Sequence, residues 1–240
     1  MKIVVLKFGG TSVGSISRIK KVAEIIKKYS KKYKVIVLTS AMSGTTNKLI
    51  NLSKKISSNF SDHEYDTLVS AGEQISCSLL SGQLIENGIK SRSWMAWQIP
   101  IITEGEHKYS RIANIKKNQI IKFLRVGGIP VIAGFQGINK DLRITTIGRG
   151  GTDSSAIMFA NFFKAHKCVI YTDVEGVYTT DPNKLKSAKK IKKISYEEML
   201  EMSSLGAKVM QPHSIQDARL NRIDIEVKSS FVNKSGTLIT

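Results

Sequence analysis

The chain has 240 residues, of which 41% are hydrophobic and 23% are charged. This length and composition exclude a globally disordered protein and allow one large α/β domain or two closely joined lobes. No apolar stretch is long enough to cross a bilayer, and Ile3–Leu6 is too short for the core of a signal peptide. The two cysteines form no CxxC pair, and the four histidines show no metal-ligand spacing. We therefore expect a cytoplasmic protein without a membrane partner, a disulfide framework or a metal held by protein ligands.

The chain is strongly basic, with 37 lysines and arginines against 19 aspartates and glutamates and a formal net charge of +18. Such a charge attracts anions in general. A nucleic-acid-binding protein would interleave basic residues with exposed aromatic residues, but aromatic residues make up only 7% here. Much of the charge lies in short runs, which are Lys27-Lys28, Lys31-Lys32, Lys189-Lys190 and Lys192-Lys193. We favour solvated outer faces of helices and loops over a specific nucleic acid partner.

Short apolar runs rich in valine and isoleucine predict buried strands. These runs are Ile3–Leu6, Val35–Leu38, Ile129–Ala133, Cys168–Tyr171 and Ile225–Val227. They lack clean alternation, which is typical of strands that are covered on both faces in a parallel sheet.

Amphipathic stretches between these runs predict helices at Ser17–Tyr29, Ser154–Lys164 and Tyr196–Met202. Ser195, with Glu198 three residues later, has the pattern of a capping box at the start of the third helix. The polar stretch Asn51–Asp66 predicts a helix end followed by a loop, and Leu142–Ile147 predicts a strand or a hairpin. Strands that alternate with helices indicate a doubly wound α/β sandwich.

A first glycine-rich motif, Lys7-Phe8-Gly9-Gly10-Thr11-Ser12, follows the first predicted strand directly. Adjacent glycines let the backbone approach a ligand closely, and such a turn at a helix N-terminus favours an anion such as phosphate. A Gly-Gly turn can also serve strand-to-helix geometry alone. Lys7 is harder to explain by structure, because it would place a full positive charge at the end of a buried strand.

A second glycine-rich motif, Gly148-Arg149-Gly150-Gly151-Thr152-Asp153-Ser154-Ser155, opens the second predicted helix. Arg149 can clamp a carboxylate through two parallel hydrogen bonds, and Gly150 and Gly151 can offer backbone donors. Spacing alone leaves two interpretations of Asp153 open, which are the N-cap of the helix and a catalytic carboxylate.

A third motif runs from Tyr171 to Pro182 after a predicted strand. Ligands of open α/β sheets bind beyond the carboxyl ends of strands, so Thr172, Asp173 and Tyr178 could hold a base and a ribose. The same stretch also fits a turn-rich loop. The P-loop pattern, the dinucleotide GxGxxG pattern and the protein-kinase signatures are absent from the sequence. Two separate glycine-rich loops thus suggest two anionic ligands that meet between them.

In order along nearly the whole chain, these segments resemble the catalytic domain of the aspartate kinases, a branch of the amino acid kinase family. The resemblance rests on Lys7–Val13, Ser40–Asn47, Ser70–Glu73, Gly134–Gly137, Gly148–Asp153, Thr172–Pro182, Gly206–Val209, Ser229-Ser230 and Gly236–Leu238. The stretches Asn51–Asp66 and 103–123 are the least similar. The resemblance implies a three-layer α/β/α sandwich with a mainly parallel central sheet.

The resemblance also implies roles for individual residues. Lys7 would stabilise the transferring phosphoryl group, Asp153 would organise the catalytic lysines, Glu73 would face the ammonium of the amino acid, and Arg149 its α-carboxylate. The implied amino acid site contains Thr46, Glu73, Arg149, Gly150, Gly151 and Thr152. The implied nucleotide site contains Lys7, Phe8, Gly9, Gly10, Ser40, Thr172, Asp173, Tyr178, Asn183, Lys208 and Val209. Many relatives carry arginine where this chain has Asn183, and nearby Lys184 could substitute for it.

The implied reaction transfers the γ-phosphoryl group of ATP to the side-chain carboxylate of L-aspartate, giving 4-phospho-L-aspartate. This is the first step towards lysine, threonine, methionine and diaminopimelate. Mg²⁺ would be held mainly by ATP, and a homodimer is compatible with the resemblance. The rival acceptors within the same fold are glutamate, acetylglutamate, carbamate and a nucleoside monophosphate.

We expect residues 1–240 to form a single catalytic domain without the ACT regulatory domains that commonly follow in the family. Composition suggests two lobes that meet near Gly134–Asp141. Residues 1–135 would carry the amino acid side and residues 136–240 the nucleotide side.

Overall fold

A computed structural model describes residues 2–148, 150–182, 184–207 and 209–240. The strands are β1 (Ile3–Phe8), β2 (Lys34–Thr39), β3 (Ser91–Trp94), β4 (Ile101–Glu104), β5 (Arg111–Ile115), β6 (Ile129–Ala133), β7 (Gln136–Ile138), β8 (Ile144–Thr146), β9 (Lys167–Thr172), β10 (Lys193–Ile194), β11 (Ile225–Ser229) and β12 (Thr237–Ile239). The helices are α1 (Ile16–Ser30), α2 (Thr45–Ile56), α3 (Asp62–Glu86), α4 (Asn118–Arg125), α5 (Gly151–Phe162), α6 (Tyr196–Ser204) and α7 (Pro212–Asn221). Within the described ranges, no helix is long and apolar enough to cross a membrane.

The main sheet has eight strands in the order β10-β12-β11-β9-β1-β2-β6-β3. Every pair in it is parallel except β11 with β12. All five strands predicted from the apolar runs are present in this sheet. The central position of β1 places Lys7 between Leu38 of β2 and Ile170 of β9. Because the neighbouring strands are parallel, their carboxyl ends meet at one edge of the sheet, where ligands of open α/β folds bind.

The two faces of the main sheet pack against different helices, as in the three-layer α/β/α sandwich that the resemblance implies. Val4, Leu6 and Phe8 pack in a cluster with α1 and α3. Ile3 and Val5 pack in a cluster with α5 and α7. Successive side chains of a strand point to opposite faces, so Lys7 follows Ile3 and Val5 towards α5. The predicted fold class is confirmed.

A second sheet of four strands, in the order β5-β4-β7-β8, stands beside the main one. The hairpin of β7 and β8 is antiparallel, which confirms the strand or hairpin predicted at Leu142–Ile147. Strands β4 and β5 form a second antiparallel hairpin, whose tip is Gly105–Ser110. The sequence did not predict this hairpin, because its strands are short and mix buried with exposed positions.

The three predicted helices are present, with bounds that differ by one to three residues. Helix α5 begins at Gly151, three residues before the predicted Ser154. At α6, the capping box of Ser195 and Glu198 is confirmed. The polar stretch Asn51–Asp66 contains the end of α2 and a loop, as expected, but also the first turn of α3.

Two expectations about single residue types are confirmed. Cys77 and Cys168 are buried and free. The lysine runs lie on outer surfaces: Lys27, Lys28, Lys31, Lys32, Lys189, Lys192 and Lys193 are exposed, and Lys190 is partly exposed. The positive charge is thus mainly solvated.

Candidate active site

A cavity of about 480 Å³ opens at the carboxyl edge of the main sheet. It brings together eight residues that the sequence analysis assigned to the site, namely Lys7, Ser40, Thr46, Glu73, Gly150, Gly151, Thr152 and Asp153. They come from the ends of β1 and β2, the starts of α2 and α5, and the middle of α3. Both glycine-rich motifs therefore contribute to one cavity, the first through Lys7 and the second through Gly148 and residues 150–153.

Lys7 and Asp153 form a buried ion pair at the floor of the cavity. Lys7 Nζ lies 2.6 Å from Asp153 Oδ1, and the two side chains are 10% and 11% exposed. Gly9 lies beside this pair, since a Cβ on Gly9 would be 3.5 Å from Lys7 Nζ. The pair keeps the ammonium of Lys7 fixed at the end of β1 and directed towards α5.

The position of Asp153 tests the first of its two interpretations, the N-cap. The N-cap of α5 is Gly150, with φ of 71°, and Asp153 stands in the first turn of the helix. The N-cap interpretation is wrong, and the Asp153 carboxylate instead pairs with Lys7. The helix N-terminus borders the cavity, so its dipole favours an anion there. Arg149 of the same motif lies outside the described residues.

The first glycine turn packs tightly against the loop after β2. The Ser43 N–H donates to the Gly10 carbonyl at 3.1 Å, and a Cβ on Gly10 would lie 2.7 Å from the Ala41 carbonyl oxygen. The Gly9 N–H donates to the Tyr171 carbonyl at 3.1 Å. This turn therefore joins the ends of β1, β2 and β9 into one surface.

Glu73 is a buried carboxylate, 3% exposed, that lines the same cavity as Lys7 and Asp153. Its Oε1 accepts a hydrogen bond from the Ala41 N–H at 2.9 Å. Its Oε2 has no hydrogen-bond partner among the described residues. Burial raises the pKa of Glu73 to about 8, although the hydrogen bond from Ala41 opposes this shift. A buried, unsatisfied carboxylate is expensive, so Glu73 is suited to a cationic ligand in the cavity.

Several residues assigned to the nucleotide lie at the ends of β1 and β9 or in the segment that follows β9. Phe8 is fully buried and stacks on Tyr171, with ring centroids 4.8 Å apart, so its side chain serves the core. Thr172 ends β9, next to β1, and its hydroxyl donates to Asp173 Oδ1 at 3.0 Å. The Tyr178 hydroxyl contacts Glu175 at 3.5 Å.

Among the described residues that were assigned to the nucleotide, only Lys7 and Ser40 line the cavity. Val209 packs partly buried at the margin of the α5 and α7 core cluster. Asn183 and Lys208 lie outside the described residues.

The structure also places residues in the cavity wall that the sequence analysis did not assign. They are Ala41, Ile50, Tyr65, Lys108, Tyr109, Phe135, Thr146 and Gly148. Ala41 and Phe135 lie within motifs on which the resemblance rests, so their position in the sequence could have identified them as site residues. Tyr65, Lys108 and Tyr109 lie in the stretches least similar to the family, where nothing in the sequence marked them.

Comparisons with known proteins identify the family of the chain. The model of the amino acid kinase family matches residues 2–229. An aspartokinase of Geobacillus stearothermophilus is 49% identical over 240 residues, which are 100% of this chain and 59% of that protein. The chain thus spans about three fifths of the length of this relative.

Two solved structures share the fold. The aspartate kinase of Synechocystis has a TM-score of 0.89 at 39% identity, over 99% of this chain and 39% of that chain. The E. coli aspartokinase III in complex with aspartate and ADP has a TM-score of 0.89 at 28% identity, over 99% of this chain and 64% of that chain. The match to the family model over nearly all residues, on a sandwich in which both glycine-rich motifs contribute residues to one cavity, shows that the chain belongs to the amino acid kinase family.

Proposed function

We propose that this chain transfers the γ-phosphoryl group of ATP to the side-chain carboxylate of L-aspartate. The observation that carries the proposal is a single cavity that is lined both by the Lys7–Asp153 pair and by the unsatisfied Glu73 carboxylate. The names of the relatives support it, because they are aspartokinases. So does the E. coli structure that contains aspartate and ADP.

At the acceptor end, Glu73 binds the ammonium of aspartate through its free Oε2. This interaction would also hold Glu73 in its charged form, since a nearby cation favours the carboxylate. Arg149 takes the α-carboxylate, and Thr46 and the Gly150–Thr152 turn complete the amino acid site. An acceptor without a free ammonium gains nothing from Glu73, which disfavours acetylglutamate and carbamate.

The chemistry needs no general base. A side-chain carboxylate has a reference pKa near ~3.9, so the acceptor is already an anion at neutral pH. One of its oxygens forms a bond to the γ-phosphorus while the bond to the β,γ-bridging oxygen breaks, and ADP leaves with that electron pair. No proton is transferred. The work of the protein is to align two anions and to balance the charge on the moving group.

At the phosphoryl end, Lys7 stabilises charge on the transferring group and Asp153 fixes the direction of its ammonium. Gly9, Gly10 and the backbone of Phe8 let the ATP phosphates approach the end of β1. Lys208 supplies a second cation. Ser40, Thr172, Asp173, Tyr178, Asn183 and Val209 complete the nucleotide site.

We propose that Mg²⁺ accompanies ATP and is held mainly by phosphate oxygens and water. Among the described residues, no group of three His, Cys, Asp or Glu could hold a metal ion. Mg²⁺ that is bound to a nucleotide commonly keeps several waters and few protein ligands. The described residues, which offer no such group, are therefore compatible with Mg²⁺ held by ATP.

We further propose a division of labour within one domain. Residues 1–135 supply Thr46 and Glu73 for the amino acid, and residues 136–240 supply most nucleotide contacts. The two share Lys7 and the 149–152 turn. A homodimer stays a prediction, which sedimentation of the purified chain would test.

An ADP-release assay with each acceptor tests the function. Aspartate should support turnover, while glutamate, acetylglutamate, carbamate and a nucleoside monophosphate should support little. A product that decomposes with hydroxylamine would identify the acyl phosphate. Turnover with acetylglutamate but not with aspartate would exclude the proposal.

A further inference from the structure

Residues at the start of α3 contact the tip of the β4–β5 hairpin. Asp62, Tyr65 and Asp66 are spaced three and four residues apart, so they lie on one face of the helix. Lys108 at the hairpin tip forms an ion pair with Asp62, and its Nζ lies 4.7 Å from the centroid of the Tyr65 ring. These contacts bring the tip to the rim of the cavity.

Asp66 is the centre of this contact, and its side chain is fully buried. Its Oδ2 accepts hydrogen bonds from His107 Nδ1 at 2.7 Å, the Lys108 N–H at 3.0 Å and the Thr146 N–H at 3.1 Å. Its Oδ1 accepts from the Thr146 hydroxyl at 2.5 Å. One carboxylate therefore ties the helix to two separate segments, the hairpin tip and the end of β8.

The segments that Asp66 holds form part of the acceptor side of the cavity. Lys108, Tyr109 and Thr146 line it together with Glu73, which stands seven residues after Asp66 on α3. Seven residues are close to two helical turns, so the two carboxylates share a helix face. The helix thus sets the position of the cavity wall relative to the carboxylate that faces the ammonium.

The hairpin tip does not take its shape from local preference. Lys108 has φ of 69°, in the left-handed region that a residue with a side chain seldom adopts. Its carbonyl oxygen lies 3.0 Å from where a Cβ on Gly148 would stand. Gly148 is the first residue of the second glycine-rich motif, so the tip lies close to the start of that motif.

We propose that Asp66 is a positioning residue for the acceptor amino acid. It acts through the backbones of Lys108 and Thr146, and it fixes the part of the cavity wall that these two residues form. This inference rests on the proposed function. It assigns Asp66 and His107 a part in substrate selection, although neither residue touches a substrate.

The variant Asp66→Asn keeps the size of the side chain but replaces an acceptor oxygen with an N–H₂ group that faces N–H donors. We expect the KM for aspartate to rise by about tenfold or more, as for other supporting groups of binding sites. The KM for ATP should change by less than about twofold, because the held segments lie on the acceptor side. Equal increases in both constants, or no increase for aspartate, would overturn the proposal.

His107 provides a second pair of variants in case Asp66→Asn fails to fold. His107→Leu removes one donor to Asp66 and should raise the KM for aspartate. His107→Asn can place an amide N–H near the position of Nδ1 and should recover most of the wild-type value. Recovery by the amide and not by the apolar residue would support positioning, whereas equal effects of the two would contradict it.

Arg143→Ala is the matched control. Arg143 pairs with Glu64 at 2.6 Å, also between α3 and the segment that leads into β8, but this pair is exposed and does not line the cavity. Its loss should leave both KM values unchanged. An effect as large as that of Asp66→Asn would show that any contact between these elements matters equally.

Hydrogen exchange separates failure of this proposal from failure of the proposed function. In Asp66→Asn, peptides that contain residues 105–110 and 144–148 should exchange faster, while peptides of β1 and β9 should not. If wild-type chain does not turn over aspartate, the proposed function fails, and exchange still decides whether Asp66 holds the tip. Unchanged exchange at both segments would overturn the proposal whatever the substrate.

Discussion

Lys7 of β1 and Asp153 of α5 are joined by an ion pair, Nζ to Oδ1 at 2.6 Å, that is almost closed to solvent. Removing two such charges from water costs several kcal/mol per ion, which their attraction repays only with good geometry. A pair of apolar residues would often stabilise this position as well or better. The pair is therefore better explained by the charge that Lys7 presents to the cavity than by stability.

Lys7→Ala should abolish turnover, with kcat at least ~10³-fold lower, because no other described cation occupies the end of β1. The variant should also lose about 3 kcal/mol of unfolding free energy, since Asp153 stays buried without its partner. Adding Asp153→Asn should restore much of the stability and none of the turnover. Steady-state kinetics and urea unfolding measure the two effects. Lys27→Ala, at an exposed lysine of α1, is the control, and near-normal turnover of Lys7→Ala would remove its phosphoryl role.

Arg149→Ala should raise the KM for aspartate about 100-fold and change the KM for ATP far less. The physical reason is the loss of two charge-assisted hydrogen bonds to the α-carboxylate. Arg149→Lys should recover only part of the affinity, because an ammonium cannot form the paired contacts. Initial rates with each substrate varied in turn give both constants. A larger effect on ATP than on aspartate would reassign this turn to the nucleotide.

Glu73 should make aspartate binding depend on pH. Burial raises its pKa to about 8, so below that value the free protein carries a neutral carboxyl that cannot pair with an ammonium. Binding should release a proton below pH 8, and the KM for aspartate should rise about tenfold from pH 9 to pH 7. In Glu73→Gln the KM should be high and nearly independent of pH. Glu86→Gln, at an exposed position of the same helix, should keep the wild-type profile.

The same carboxylate should reduce stability. The pKa of Glu73 is about 8 in the folded chain and 4.5 by its ordinary value, so the folded state binds more protons between these limits. Unfolding free energy should therefore fall as pH rises from 4.5 to 8. Glu73→Gln removes this dependence and should be about 2 kcal/mol more stable than wild type at pH 8.5. Chemical denaturation at pH 5 and pH 8.5 tests this. Equal stability of the two proteins at pH 8.5 would show that the buried charge carries no penalty.

Strands that are buried on both faces could be predicted from the sequence. So could the importance of a charged residue at the end of such a strand. The strands β1, β2, β6 and β9 are buried along most of their length, so each reads as an apolar run, whereas β11 alternates buried with partly buried residues. Lys7 was conspicuous as a charge at the end of one of these strands. The strands β4, β5, β7 and β8 have three to five residues, which is too short for a periodic signal.

Helix α3 was not predicted, although it has 25 residues. Its buried face mixes Ser70, Gly72 and Ser76 with apolar residues such as Val69 and Leu80. Gly72 is needed for close approach, because a Cβ there would lie 2.8 Å from the Ala41 Cβ. Small polar residues that let a helix reach a site do not produce the hydrophobic pattern on which prediction depends. The contacts of Asp66 with the hairpin tip could not be predicted either, because they depend on a helix and a hairpin that lack a hydrophobic pattern.

Gly10→Ala tests whether catalysis needs the close packing that the absence of a side chain at Gly10 allows. A Cβ at Gly10 would lie 2.7 Å from the Ala41 carbonyl oxygen, so the loop after β2 must move. That loop donates the Ala41 N–H to Glu73, and a shift of about 1 Å can cost about 100-fold in rate. We expect kcat/KM to fall by about that factor with both substrates. Gly82→Ala is the control, since its Cβ would meet no atom within 4 Å and alanine favours a helix. It should keep full activity and gain stability. Equal activity of the two variants would show that the turn tolerates displacement and that the close packing of the β1 and β2 ends does not position the reacting groups.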